Sequence, residues 1–389
     1  MEADGWIAPT DEEQRLFEAK RNDDLGSFLT VLAATDVFVP CLLDHADARL
    51  AGQQVRGTSL VKTKRWTRTS LDVYTRGLLP AQRPDGVFFD KMMWPALVPW
   101  VGKTSPDWTL VVNRGSRIET RLKVGDVALW LKRNQDTVGT WQDLLGTVRT
   151  MRSEPQDGDL ARALACGAQL AVMGARPWNT MGADRLDYEQ TRRTLQKWWS
   201  IETAAQWRTQ VDRLLDTEQL TSVDRVLSLR PQYAGQSAPS ADPTTLTRAV
   251  TAWCQQHGTA DKARNELLDV AGLVGRCEGW LRRDGLLPHD GVIHTQAAWD
   301  LGRAVNMGLW GLAGGFCDRE RAEEIVRQAG SACAQTYPNW FSFSAAYVLG
   351  RVVQMGRQGS PEQTYQEALD AHNALVRAPS SPWRTLTLR

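Results

Sequence analysis

From about residue 160 onward, apolar positions recur three and four residues apart, the spacing of amphipathic helices. "LARALACGAQLAVM", "LDYEQTRRTLQKWW", "TAAQWRTQVDRLLD" and "TRAVTAWCQQH" each carry one such stripe, separated by Gly, Pro or Ser clusters. The pattern before residue 134 is different. "DEEQRLFEAKRNDDLGSFLTVLAA" predicts two short helices broken at Asn22–Asp24, and "DVFVPCLL" predicts a short apolar strand. "SLVKTKRW" and "DWTLVVNRGS" predict further strands, the second turned by Asn113-Arg114-Gly115-Ser116 into a hairpin with "RIETRLKV". Ser70 predicts the N-cap of a helix over "LDVYTRGL", with Asp72 in its first turn, and "VGDVALWLKRN" predicts a closing helix.

The expected fold is therefore α+β: a small α/β N-terminal module with a short mixed sheet over residues 11–133, followed by a mostly α-helical domain over 159–376. Residues 134–158 are expected as a linker and 377–389 as a flexible tail carrying a lone, exposed Trp383. "LRPQYAGQSAPSADPTT" (229–245) is expected as a mobile loop within the helical part.

Two helical segments break the usual apolar-in, polar-out rule. In "AAWDLGRAVNMGLWGLA", Leu301, Val305, Leu309 and Leu312 share one side, while Trp299, Asp300, Arg303, Asn306, Met307 and Trp310 share the other. Neither side is a solvated face, which predicts a central helix with Gly302 and Gly308 admitting close neighbours. In "NWFSFSAAYVLGRVVQM", Asn339 predicts an N-cap, and Trp340, Ser344, Tyr347 and Arg351 share one face. A buried guanidinium needs a carboxylate, and Asp300 or Asp284 could serve Arg303 and Arg351, with indoles stacked on them. Trp299, Asp300, Arg303, Asn306, Trp340, Tyr347 and Arg351 thus form either a structural lock between helices or a ligand pocket.

Charge narrows the partners. Residues 1–150 carry 20 Lys/Arg against 19 Asp/Glu and the remainder 26 of each, so neither half has the basic excess of a nucleic-acid domain. One local run is basic: Lys62, Lys64, Trp66 and Arg68 would share a strand face, either guarding a sheet edge or meeting an acidic protein segment. With 17 tryptophans the chain has unusual aromatic area for packed helices or a binding groove. The N-terminus lacks the apolar run of a secretory signal, no segment suits a membrane span, and six scattered cysteines predict reduced thiols in a cytoplasmic protein.

No reaction announces itself. Gly102-Lys103-Thr104 matches the tail of a P-loop, but Leu97 stands where the first Gly belongs and Pro99 interrupts the stretch. Cys254, His257, His289 and His294 fit no standard zinc spacing, so neither metal nor cofactor is expected.

"WWSIETAAQW", followed by "GWLRRDG", "AAWDLGRAVNMGLWGLAGGF" and "YPNWFSFSAAYVLGR", resembles the bacterial domain-of-unknown-function family numbered 1266, over about residues 160–357. Trp299, Asp300, Arg303, Trp340, Phe343, Tyr347, Gly350 and Arg351 match its pattern. The first third, with "FVP", Thr67–Ser70 and "VVNRGS", resembles the N-terminal domain of SseB-like proteins, with Arg68 where that pattern has Phe. Neither resemblance implies a reaction. The expected function is a non-enzymatic interaction protein that binds another protein. The rival is an enzyme or small-anion binder with a pocket built from Asp300, Arg303, Asn306 and Arg351.

Overall fold

Thr10 is extended just ahead of an acidic first turn, and its hydroxyl accepts from the Glu13 amide to start α1 (Asp11–Arg21), which ends on Lys20 and Arg21 as the helix dipole favours. Asp24 caps α2 (Leu25–Ala33) in the same way, through the Ser27 amide. The break at Asn22–Asp24 is thus a cap-to-cap junction. The computed structural model describes residues 6–217, 221–233 and 243–389. The middle of the loop expected at 229–245 lies outside the described residues, and its two ends are helical.

Six strands follow α2: β1 (Asp36–Leu42), β2 (Lys62–Arg65), β3 (Arg68–Thr75), β4 (Val87–Met93), β5 (Thr109–Val112) and β6 (Thr120–Lys123). The sheet order is β4-β1-β3-β5-β6, with β2 also on β3. It is mixed: β3 and β5 run parallel, with Ser70 opposite Thr109, and the other pairs are antiparallel. The β5–β6 hairpin forms as expected. β3 corrects the reading of "LDVYTRGL" as a helix. Leu71 and Val73 alternate inward, Ser70 is a strand residue rather than a cap, and Asp72 holds Arg114 across the sheet at 2.5–2.9 Å. Leu71 pairs with Lys62 on one edge and Leu110 on the other, and this two-sided pairing outweighs the local capping signal. Short helices flank the sheet: α3 (Leu43–Leu50), α4 (Trp94–Gly102) and α5 (Val124–Asn134). Gly102 ends α4 instead of opening a helix, so the Gly-Lys-Thr stretch lies at the wrong helix end for phosphate.

The remainder is helical. α6 (Gly158–Ala165) and α7 (Ala168–Met173) replace the single helix expected over "LARALACGAQLAVM". Gly167 stands at their junction, where an added Cβ would lie 2.8 Å from Val305. Next come α8 (Tyr188–Trp199), α9 (Ala204–Leu215), α10 (Ser222–Tyr233), α11 (Pro243–Gln256) and α12 (Asp261–Arg283). Then α13 (Ala297–Ala313), α14 (Arg319–Thr336), α15 (Trp340–Met355), α16 (Pro361–Arg377) and α17 (Pro382–Thr385) complete the chain. The central helix is α13, packed by α8, α9, α14 and α15. A Cβ on Gly302 would lie 2.8 Å from the Tyr347 ring, and one on Gly308 3.1 Å from the Ala322 carbonyl. Both glycines therefore admit neighbours that no larger residue would. Asp318 caps α14 and Asn339 caps α15, each through its side chain.

The apolar interior divides into one cluster in the sheet module and a larger one over residues 161–388. A small third cluster, Phe38, Tyr74, Phe89 and Leu186, sits where they meet. There the Asp187 amide donates to the Phe89 carbonyl at 2.7 Å, Tyr188 donates to Asp47 at 2.8 Å, and Arg49 pairs with Glu189 at 2.6 Å. In the connecting stretch, Arg149 pairs with Glu12 at 3.1 Å and donates to the Ala175 carbonyl at 2.7 Å. The C-terminal segment is docked rather than frayed. Trp383 is buried, stacks on Trp340 at 5.6 Å, and donates to the Ala165 carbonyl. Among the described residues no helix is long and apolar enough to cross a membrane.

Candidate functional site

Trp299, Asp300 and Arg303 leave the first two turns of α13 on the side facing α8. The Arg303 guanidinium lies between two indoles, 4.6 Å from Trp299 and 5.2 Å from Trp199, and forms an ion pair with Asp300 one turn back. Burial lowers the pKa of Arg303 and raises that of Asp300, and the mutual attraction of the pair opposes both shifts. Arg351, on α15, takes a different partner from the one expected. It donates to Glu367 of α16 at 3.0 Å, whereas Asp284 is occupied by Arg283 and the Tyr365 hydroxyl.

These groups wall a cleft of about 1020 Å³, which also receives Arg213 from α9 and Arg357 just past α15. Four indoles line it: Trp198, Trp199, Trp299 and Trp310. Its described walls hold four guanidiniums and two carboxylates, Asp216 and Asp300. Several donors there are buried without a protein partner: Trp299 Nε1, Arg303 Nε and Arg351 Nε. Tyr347 stands behind the wall, edge-on to Trp299 at 5.1 Å, and its hydroxyl is likewise unpartnered. Burial pushes that phenol up to about 12, against the pull of Arg351, Arg303 and Arg176. Unmade hydrogen bonds cost free energy, so a group of them around one opening marks where something else can bond.

The other expected members are elsewhere. Asn306 is buried on the neighbouring side of α13, donating to the Gly302 carbonyl at 2.9 Å and accepting from Arg176 at 3.1 Å. It lines a second, smaller cavity. Trp340 donates to the Leu386 carbonyl and stacks on Trp383, so it anchors the C-terminal segment. Trp198, Trp199, Arg213 and Arg357 are cleft residues that the sequence did not place in the site, although the doubled indole of "WWSIETAAQW" stands in the family resemblance.

In the sheet module, β2 is exposed throughout, and Lys62 Nζ lies 5.0 Å over the Trp108 ring. Trp66 is not on a strand face with Lys62, Lys64 and Arg68. It occupies the two-residue turn between Arg65 and Arg68, at φ 56°, and is fully exposed.

One constellation has the look of a nucleophile and its base. The Ser344 Oγ and His372 Nδ1 are 2.8 Å apart, and Gln169 donates to the same Oγ at 2.7 Å, which directs the hydroxyl proton toward the imidazole. Both side chains are buried, neither lines the cleft, and burial holds the imidazole down at about 4. The pair is a packing contact. Among the described residues no three His, Cys, Asp or Glu side chains come together as metal ligands.

A family described as a protein of unknown function, DUF1266, matches residues 194–388. That span begins later than the sequence resemblance suggested and runs through the docked C-terminal segment. It contains Trp198, Trp199, Arg213 and Arg357 as well as the α13 and α15 residues. No curated protein and no solved structure matches this chain.

Proposed function

We propose that this chain, which belongs to the DUF1266 family of unknown function, binds a small planar anion in the Trp–Arg cleft. The observation that carries the reading is the excess of guanidiniums over carboxylates around an indole-lined opening, with Trp299 Nε1, Arg303 Nε and Arg351 Nε unpartnered. Indoles give flat apolar walls, and guanidiniums give planar forks that match carboxylate or phosphate groups. The volume also falls at the upper end of ordinary small-molecule sites. The reading is one of binding and assigns no reaction.

Titration of tryptophan fluorescence with nucleoside monophosphates and aromatic carboxylates tests it. Saturable quenching by at least one probe, weakened tenfold or more by Arg213→Ala and by Arg303→Lys, is the expected result. No response from either class, or unchanged affinity in both variants, overturns it.

A second reading, protein binding through a module read as SseB-like and bacterial, rests on Trp66. A bulky residue in the left-handed region costs about 1–2 kcal/mol, and this one regains nothing by packing because it is fully exposed. Such strain is often kept where a side chain must be presented. The basic ribbon of Lys62, Lys64 and Arg68 fits an acidic protein segment. Six free thiols, five of them buried, support the cytoplasmic reading.

A further inference from the structure

The smaller cavity beside Asn306 lies where the sheet module meets the helical part, and it encloses about 380 Å³. Its walls come from both. Arg76 follows β3 at the start of a 3₁₀ turn, Lys91 lies on β4, and Arg176 and Asp187 come from the segments flanking α7 and α8. It shares Leu170, Thr194 and Trp310 with the larger cleft, so the two openings meet at those walls.

The charges in this cavity are poorly matched. Lys91 pairs with Asp36 at 3.6 Å. Arg76 sits 4.9 Å over the Phe38 ring, its Nε is buried without a partner, and no described carboxylate lies within ion-pair distance. Arg176 donates one hydrogen bond, to Asn306, and likewise meets no described carboxylate at that distance. The two guanidiniums repel each other: burial drives the Arg176 pKa down to about 10, and Arg76 adds to the shift. Asp187 is the carboxylate on the wall; burial raises its pKa and Asp90 stands beside it, while Asp187, Asp36 and Glu13 attract Arg76 from beyond ion-pair distance. Two guanidiniums on one cavity, neither with a described carboxylate at ion-pair distance, are costly for a fold that needs nothing between them.

We propose that Arg76 and Arg176 form an oxyanion subsite across the junction of the two parts, taking the phosphate group of a small phosphorylated molecule. A phosphate group presents enough oxygens to accept from both forks at once, and Thr191 and Gln190 supply further polar wall. The volume suits a small molecule around that group. Because the subsite draws on both parts of the chain, its occupant bridges them. Neither Arg76 nor Arg176 lines the Trp–Arg cleft, so the subsite does not depend on what that cleft holds.

Thermal melts and calorimetric titration with inorganic phosphate and pyrophosphate, against sodium chloride at equal ionic strength, test the subsite on the full chain. The wild type should show a saturable rise in Tm with at least one of the two probes and not with chloride. Arg76→Leu and Arg176→Met should each weaken binding tenfold or more, whereas Arg76→Lys, which keeps the charge, should weaken it less. In phosphate-free buffer both neutral variants should melt close to the wild-type temperature, since each removes a half-buried guanidinium that lacks a close ion pair. Arg213→Ala, in the larger cleft, should keep the full phosphate response, which separates a failure here from a failure of the cleft. No response of the wild type to either probe overturns the subsite, as does an unchanged response in both neutral variants. A large fall in the phosphate-free Tm of both would assign the arginines to holding the junction together instead.

Discussion

Gly350 on α15 faces Trp299 on α13 so closely that a Cβ added to the glycine would lie 2.3 Å from the Trp299 Cβ. The indole that walls the cleft is therefore positioned by the absence of a side chain on the opposite helix. Trp299 is then wedged edge-on against Tyr347 and under Arg303, so one backbone approach sets the geometry of three residues.

Gly350→Ala should destabilise the protein despite alanine's helix preference of about 1 kcal/mol. Overpacking costs roughly 1–3 kcal/mol, and here the obstructing atom is a Cβ, which cannot swing aside as a side-chain tip can. Urea unfolding should show a net loss of about 1–2 kcal/mol, and the emission of the buried indoles should shift as Trp299 moves. Unchanged stability with unchanged emission would mean that α13 and α15 part without disturbing the cleft.

The firmest ion pair lies away from the cleft. Arg230 and Glu278 are 4% and 2% exposed and meet through two hydrogen bonds of 3.0 and 2.9 Å. Glu278 also accepts from the Ile293 amide, and Arg230 donates to the Ile293 carbonyl. Removing Arg230 leaves Glu278 with Arg282 at 3.8 Å and the Ile293 amide, so Arg230→Ala should cost about 3 kcal/mol, the low end for a broken buried pair. Arg230→Met with Glu278→Leu should recover only part of this, because the Ile293 backbone then loses both partners. A double-mutant cycle in urea measures the coupling; near-additive losses would refute it.

Asp90 on β4 is driven up to about 7, first by burial and then by Asp187 and Glu189. The unfolded carboxyl titrates near 3.8, so between about 4 and 7 the folded state holds the proton more tightly. Its contribution to stability is complete below the unfolded value and is lost as pH rises through 7. Asp90→Asn should therefore gain on the wild type between pH 5 and pH 8, by about 2 kcal/mol. Unfolding free energies of both proteins at the two pH values decide it, and a pH-independent difference counts against the shift.

Trp66→Gly relieves a left-handed backbone and removes no buried contact. It should leave stability unchanged or raise it by up to about 1 kcal/mol. If the ribbon meets an acidic segment, the same variant and Lys62→Glu with Lys64→Glu should lose that partner while melting as the wild type does. A marked fall in Tm for Trp66→Gly would show that the indole packs after all.

The sequence by itself determined whatever is settled within a few residues. The Asn22–Asp24 break, the caps at Asp318 and Asn339, the β5–β6 hairpin and the two-sided burial of α13 all follow from side-chain period and local hydrogen bonding. The pairing of Asp300 with Arg303 was legible for the same reason, being one helical turn apart. Tertiary structure decided the rest. "SLDVYT" satisfies a capping pattern and a strand pattern equally well, and only the two strands beside it select β3. Arg351 took Glu367 over Asp284, Trp383 found Trp340, and Trp199 came to lie over Arg303 because helices distant in sequence cross there. Helical period states which residues share a face. It carries no information about which other face is brought against it, because that choice depends on burial summed over the whole interior.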